Sequence, residues 1–317
     1  MLELQVYLRD HNYEFQPPPP HAKFAAKNGQ ANIVAYESRK LVIQGKGTSE
    51  FVEFVLEPLI LRKAELGYED VLNPERLIPR IGVDESGKGD FFGPLCIAGV
   101  YVNETVVREW SDAGIQDSKN ISSDRKMADL SKRIRETRGC VWNVVPIGNE
   151  AYNRLYKKLK SVNQILAWGH ARVIENLMLK AGSMDPKPVR AISDQFAYDK
   201  ETVARALMQE GQSIELIQRH KAEADIAVAA ASILARHEFV SRLAALEREL
   251  KVKLPKGASA AVDATAKAIL QTQGQAVLDR VCKTHFRTWL RAMDLPEPPK
   301  TEWKRPSASK PKNSSEQ

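Results

Sequence analysis

The chain has 317 residues, 43% of them hydrophobic, and a net charge of +7, which is length and apolar content enough for more than one ordinary domain. No segment approaches the roughly 18 uninterrupted apolar residues of a membrane span, and MLELQVYLRD has no secretory-leader pattern, so a cytoplasmic protein without membrane attachment is expected. Cys96, Cys140 and Cys282 lie far apart with no C-x-x-C pair, which excludes a zinc framework or a disulfide scaffold.

Residues 1–65 read as a small α+β unit. Asn28-Gly29 is a hairpin-turn signal between FAAK and the strand-like NIVAYES, and LVIQ follows a polar corner at Ser38-Arg39. In GKGTSEFVEFVLEPLIL, Ser49 is expected to cap a helix on which Phe51, Val52, Val55, Leu56 and Leu59 recur at helical spacing, ending near Pro58. Pro17 to Pro20 form a stiff polyproline stretch that sets off the first segment. Residues 66–80 mix Gly, Pro and charge without a period and are expected to link this unit to the next.

A second domain is expected over residues 81–295, and it opens on IGVDESGKGDFFGP. An apolar run delivers two adjacent carboxylates, Asp84 and Glu85, and oxygen ligands at a strand end suit hard divalent cations. Gly87, Lys88 and Gly89 follow at once, and a loop without Cβ atoms lets backbone N–H groups approach a phosphate or sugar. Taken alone, D-E-S-G also reads as an acidic turn after a strand. A nucleoside-triphosphate loop fails at its last position, where Gly89 replaces the needed hydroxyl. It also fails on charge, since like charges at about 4 Å repel by about 4 kcal/mol at an effective dielectric of 20.

Leu95 to Val102 reads as the next strand, antiparallel to the first because the link is short. Gln116-Asp117-Ser118-Lys119 leads into a helix capped by Ser122 or Ser123, and Cys140 to Ile147 forms a third strand. The segment NQILAWGHARVIENL has the spacing of one long helix, on which His170 reads as a packed or surface histidine, because no second His or Cys offers a metal pair. Val189 to Asp194 is a short apolar strand ending in an acid, and SIELIQR is another strand. The segment His220-Lys221-Ala222-Glu223-Ala224-Asp225 then opens a long Ala-rich helix whose stripe runs from Ile226 to Glu247. Asp225 reads as its N-cap, so Glu223 and Asp225 compete for any metal-facing role. Residues 255–295 read as two or three helices broken at Gly274, and residues 296–317, almost devoid of apolar side chains, as a disordered tail.

DESGKGDFFGP, DSK, NQILAWGHARVIENL, the Lys-Ala-Glu run at 221–223 and KTHFRTWLRA occur in that order, and together they resemble bacterial ribonuclease HIII, a type 2 ribonuclease H, over most of residues 40–290. The resemblance implies an RNase H-like α/β catalytic domain, with a mixed sheet flanked by helices, and an N-terminal domain similar to the TATA-box-binding protein that holds substrate. It implies an endonuclease cutting the RNA strand of RNA/DNA hybrids through two divalent ions, Mg²⁺ or Mn²⁺, with 5′-phosphate and 3′-hydroxyl products. Asp84, Glu85, Asp194 and Glu223 match its acidic positions. Ser118 and Lys119 match positions near the nucleic acid, the backbone groups of Gly87, Lys88 and Gly89 are the candidates to read the 2′-hydroxyl that distinguishes RNA from DNA, and Lys221 is expected to meet a phosphate. A monomer is expected.

Two further readings stay open: cleavage at single embedded ribonucleotides, as in ribonuclease HII, and hybrid binding without catalysis. Charge agrees with a polyanionic partner, since residues 81–295 hold 32 Lys and Arg against 26 Asp and Glu, while residues 1–80 hold 10 against 11. Neighbours on a regular strand face opposite sides, so Asp84 and Glu85 share one site only if the chain bends there, as Ser86-Gly87 suggests.

Overall fold

The computed structural model describes residues 1–63, 74–111, 115, 121, 123–195, 201–220 and 222–299, without the side chain of Glu201. It divides into two compact units, one of residues Met1–Ile78 and one from Pro79 onward.

In the first unit, helix α1 (Leu2–Asp10) precedes a four-stranded antiparallel meander of β1 (Glu14–Gln16), β2 (Ala22–Lys27), β3 (Asn32–Tyr36) and β4 (Leu41–Gln44). The Asn28 side chain accepts the N–H groups of Gln30 and Ala31 at 2.9 and 2.7 Å, which closes the β2–β3 turn that Asn-Gly signals. Period-2 alternation puts Phe24, Ala26, Ile33 and Ala35 on one face, where Leu4, Leu8 and Phe51 complete the core. Helix α2 (Thr48–Phe51) runs on as a π-helical stretch, Val52–Leu61, that contains Pro58. Gly47, not Ser49, stands at the N-terminus of α2. The hydroxyl that ties the entry is that of Thr48, which donates to the Gly45 carbonyl at 2.8 Å.

The second unit is a mixed five-stranded sheet in the order β7-β6-β5-β8-β9. Its strands are β5 (Arg80–Ser86), β6 (Leu95–Val102), β7 (Val141–Ile147), β8 (Arg190–Asp194) and β9 (Glu215–Arg219). Strand β6 pairs antiparallel with β5 and β7, whereas β5, β8 and β9 run parallel. Every residue of β6, LCIAGVYV, is buried, as an unalternating apolar run demands when helices cover both faces.

Helices α3 (Glu104–Ser111), α4 (Asp124–Glu136), α5 (Asn149–Leu159) and α6 (Val162–Met178) connect these strands. Ser123 caps α4, and its hydroxyl accepts the Lys126 N–H. After the short α7 (Glu201–Ala204), the long helix α8 (Ile226–Leu250) is followed by α9 (Ala260–Gln273), α10 (Gln275–Val281) and α11 (Arg287–Ala292). Gly274, at φ +87°, makes the break between α9 and α10. No helix among the described residues is long and apolar enough to cross a membrane.

The two faces of β5 meet different helices. Ile81 and Val83 join a core with Ile165, Val173 and Leu177 of α6. Gly82 faces α8 so closely that a Cβ there would lie 2.2 Å from the Ala227 backbone. Arg80, 2% exposed, clamps the same helix by an ion pair of 2.8 Å with Asp225, 8% exposed.

Candidate active site

The parallel strands β5 and β8 bring two of the sequence-selected acids together. Their last register pair is Val83 with Ser193, so Asp84 and Asp194 emerge side by side at the carboxyl ends of neighbouring strands. That is the edge where open α/β sheets place their ligands. Glu223 lies in the 3₁₀ turn Ala222–Ala224 that follows β9. Ala222 packs on Ile192 of β8 and Val228 of α8, which holds this turn against the β8 side of the sheet.

Glu85 is held from the other face of the strand. Pairing of β5 with β6 continues in register through Glu85–Ile97 and Ser86–Cys96, and the chain turns only at Gly87, at φ +92°. The bend expected beside Asp84 therefore comes after Glu85, and the period-2 rule turns Glu85 to the α6 face. There its Oε2 lies 3.1 Å from Nε2 of His170, which is fully buried, and its Oε1 lies 3.8 Å from Lys88 Nζ. His170 is a packed histidine, as read from the sequence, but its bond to Glu85 was not foreseen. The usable signal was its setting between Gly169 and Ala171, small residues that let α6 approach the sheet: a Cβ on Gly169 would meet Ile97 at 2.7 Å.

Asp84 Oδ1 accepts the Glu85 N–H at 2.8 Å. Asp194 Oδ1 is buried with no hydrogen-bond partner among the described residues. A buried acceptor left without a donor costs about 1–3 kcal/mol, so this oxygen is open to a cation or a donor that the described residues do not supply. Asp225 has no such vacancy. It accepts both oxygens' worth of contact from Arg80 Nε, at 2.8 and 3.1 Å, and caps α8 by accepting the Ala227 N–H at 2.9 Å. No three His, Cys, Asp or Glu side chains among the described residues stand as a closed metal cage. The donor set is all oxygen and, with Asp194 Oδ1 unmatched, fits a hard divalent cation.

The glycine loop is asymmetric. A Cβ on Gly87 would strike the Pro94 carbonyl at 2.3 Å, whereas one on exposed Gly89 would meet nothing within 4 Å. The first glycine is needed for packing and leaves the second as open approach to the backbone. Behind the loop, Lys283 Nζ, wholly buried, donates to the carbonyls of Asp90 and Gly93 at 2.8 and 2.6 Å. Burial pushes Lys283 down to about 8. Ser118, Lys119 and Lys221 lie outside the described residues.

This sheet, with acids at the ends of adjacent parallel strands and a glycine loop beside them, is matched over residues 81–289 by the family model for ribonuclease HII. It defines a type 2 ribonuclease H, an endonuclease class. A domain of unknown function, DUF3378, matches residues 3–65. The chain is 47% identical to ribonuclease HIII of Chlamydia muridarum, covering 87% of this chain and 88% of the relative, and 44% identical to that of Chlamydia pneumoniae, covering 90% and 92%. It is also similar to the crystal structure of Bst-RNase HIII in complex with Mn²⁺, with a TM-score of 0.63, 27% identity and coverage of 93% and 96%. The chain belongs to the ribonuclease HIII family.

Proposed function

We propose that the chain hydrolyses the RNA strand of RNA/DNA hybrids in the cytoplasm, as a monomer, leaving 5′-phosphate and 3′-hydroxyl ends. Asp84, Glu85, Asp194 and Glu223 would hold two divalent cations, Mg²⁺ or Mn²⁺. The observation that carries this reading is that Asp84 and Asp194 directly follow the last register pair of neighbouring parallel strands, one of them with an unmatched buried oxygen among the described residues. The Mn²⁺ complex of the similar Bst-RNase HIII supports the metal assignment. Because Asp225 is committed to Arg80 and the helix cap, Glu223 is the better fourth ligand.

When bound, such ions activate water for in-line attack on phosphorus and stabilise the leaving 3′ oxygen. Asp84 and Asp194 would fix their position from two strands, and Glu85, held by His170, would complete the set where the β5–β8 pairing has already stopped. The phosphorus gains the water oxygen, the P–O3′ bond breaks, and the 3′ oxygen takes up a proton. Gly89, open to solvent, would let the loop backbone approach the 2′-hydroxyl, the group that distinguishes RNA from DNA. The backbone groups of Gly87 and Lys88 would share that reading with Gly89. Ser118 and Lys119 would lie near the nucleic acid, Lys221 would meet a phosphate, and the first unit would serve as a substrate-binding domain.

The test compares cleavage of a long hybrid with cleavage of a duplex carrying one ribonucleotide, in Mg²⁺ and in Mn²⁺. Preference for the long hybrid, lost in Asp84→Asn while binding persists, is expected. Cleavage retained by Asp84→Asn would refute the assignment.

A further inference from the structure

A basic channel beside the catalytic loop has no part in the site described above. Its main section, about 540 Å³, lies between α5 and α10 and is lined by the cations Arg154, Lys157, Lys160 and Arg280, by the acids Glu150 and Asp279, and by the rings of Tyr156 and His285. A second section, about 360 Å³, shares Arg154 and Arg280 with it and extends to Pro94 and Arg242. The channel thus starts at Pro94, whose carbonyl backs directly on Gly87 of the loop. Register agrees: β6 and β7 pair Leu95 with Ile147, and β5 and β6 pair Ser86 with Cys96, so α5 starts at the catalytic end of the sheet.

Cations outnumber acids there, four to two in the main section, and the Asp279 carboxylate is already engaged by Trp289 Nε1 at 2.7 Å. Arg280 and Arg242 have partners in Glu249 and Glu238, each at 2.7 Å. Arg154, Lys157 and Lys160 have no ion pair among the described residues, although they recur every third position along and just past α5. Like charges at that spacing destabilise a helix. The helix dipole favours cations in the last turn, which accounts for Lys157 but not for Arg154 a turn earlier, nor for Arg280 arriving from another helix.

The walls are preformed. Asn153 ties α5 to the opposite wall, donating to the Asp279 and Cys282 carbonyls at 3.2 and 3.0 Å and accepting the Thr284 N–H at 3.0 Å. Tyr156 and His285 stack at 4.3 Å, 25° apart. Burial and Lys283 hold His285 down at about 4, so this ring pair is a neutral flat surface among cations. Cations without ion pairs along an open groove are the elements with which proteins track a nucleic-acid backbone.

We propose that this channel binds the sugar-phosphate backbone of the substrate beyond the point of cleavage, with Arg154, Lys157 and Lys160 each meeting a phosphate. The proposal rests on the hybrid-cleaving reading above. It makes the enzyme favour substrates long enough to reach from the glycine loop past Pro94.

The experiment uses the full chain with Arg154→Gln, Lys157→Gln and Lys160→Gln combined, all surface positions, with folding verified by melting temperature. Binding to a hybrid of about 30 base pairs is measured in EDTA against salt, and the slope of log K on log salt should fall by about 2–3, since each phosphate contact contributes about 0.9. KM for that hybrid should rise about 10-fold with kcat unchanged, while a hybrid of about 8 base pairs is cleaved as before. An unchanged slope, or equal losses on short and long hybrids, overturns the channel. If the wild-type chain cleaves no hybrid but its salt slope still drops in the variant, the catalytic reading fails and the channel stands.

Discussion

His170 Nε2 and Glu85 Oε2 lie 3.1 Å apart, joining the middle of α6 to the last turn of β5 across 85 residues of sequence. The histidine is fully buried and the glutamate side chain 12% exposed, so the contact is shielded and fixes the carboxylate on one side of the strand. Groups that orient a metal ligand typically contribute 10–100-fold to affinity or rate. His170→Leu is therefore expected to lower kcat and to weaken Mn²⁺ binding measured calorimetrically, both by about 10–100-fold, with the hybrid bound as tightly as before. Unchanged Mn²⁺ affinity would show that Glu85 needs no such support.

The unmatched Asp194 oxygen predicts a separation of stability from function. In EDTA, Asp194→Ala should melt no lower than wild type, because the substitution removes a buried acceptor that costs about 1–3 kcal/mol. Mn²⁺ at about 100 times its dissociation constant should stabilise wild type by about 2.7 kcal/mol and leave the variant unmoved. Equal stabilisation of both proteins would place the cation elsewhere.

Asp225 and Glu223, two residues apart, should fail in opposite ways. Asp225→Asn removes the buried charge that faces Arg80 at 2.8 Å and is expected to cost about 3 kcal/mol or more in urea unfolding, with cleavage per folded molecule retained. Glu223→Gln should unfold within about 0.5 kcal/mol of wild type, since the partly exposed carboxylate has no ion pair among the described residues, yet lose cleavage by more than about 100-fold. Reversed outcomes would exchange the two roles.

Lys283 gives a pH signature. Its folded pKa of about 8 lies below the ordinary 10.5, so between those values the unfolded chain holds the extra proton and stability rises with pH. Below about 8 both states are protonated and the full burial penalty, about 3 kcal/mol, is present. Relative to Lys283→Met, the wild type should gain stability as pH rises from about 8 toward 10.5, and a constant gap between them would show that the amine stays charged when buried.

The sequence by itself determined the strand and helix order of the second unit wherever a local pattern forces it. The apolar run of β6 read as a strand, Asp225 before an alanine-rich run as its N-cap, and Gly274 as a break among the final helices, and the structure has all three. The acids and the glycine loop were legible because their chemistry is written in contiguous residues. In the first unit the same reasoning found β2 to β4 but misplaced the helix cap, since the capping position belongs to Gly47, which has no side chain to signal it.

Tertiary structure decided what depends on residues distant in the chain. Which face Glu85 takes follows from β5 staying paired to β6 through Ser86, and the pairing partner lies beyond an intervening loop. The meeting of His170 with Glu85, of Arg80 with Asp225, and of Asp84 with Asp194 likewise depends on how helices and strands stack, which no local propensity encodes. The basic channel needed α10 laid against α5, for its cations come from two helices more than a hundred residues apart and become one surface only when those helices pack.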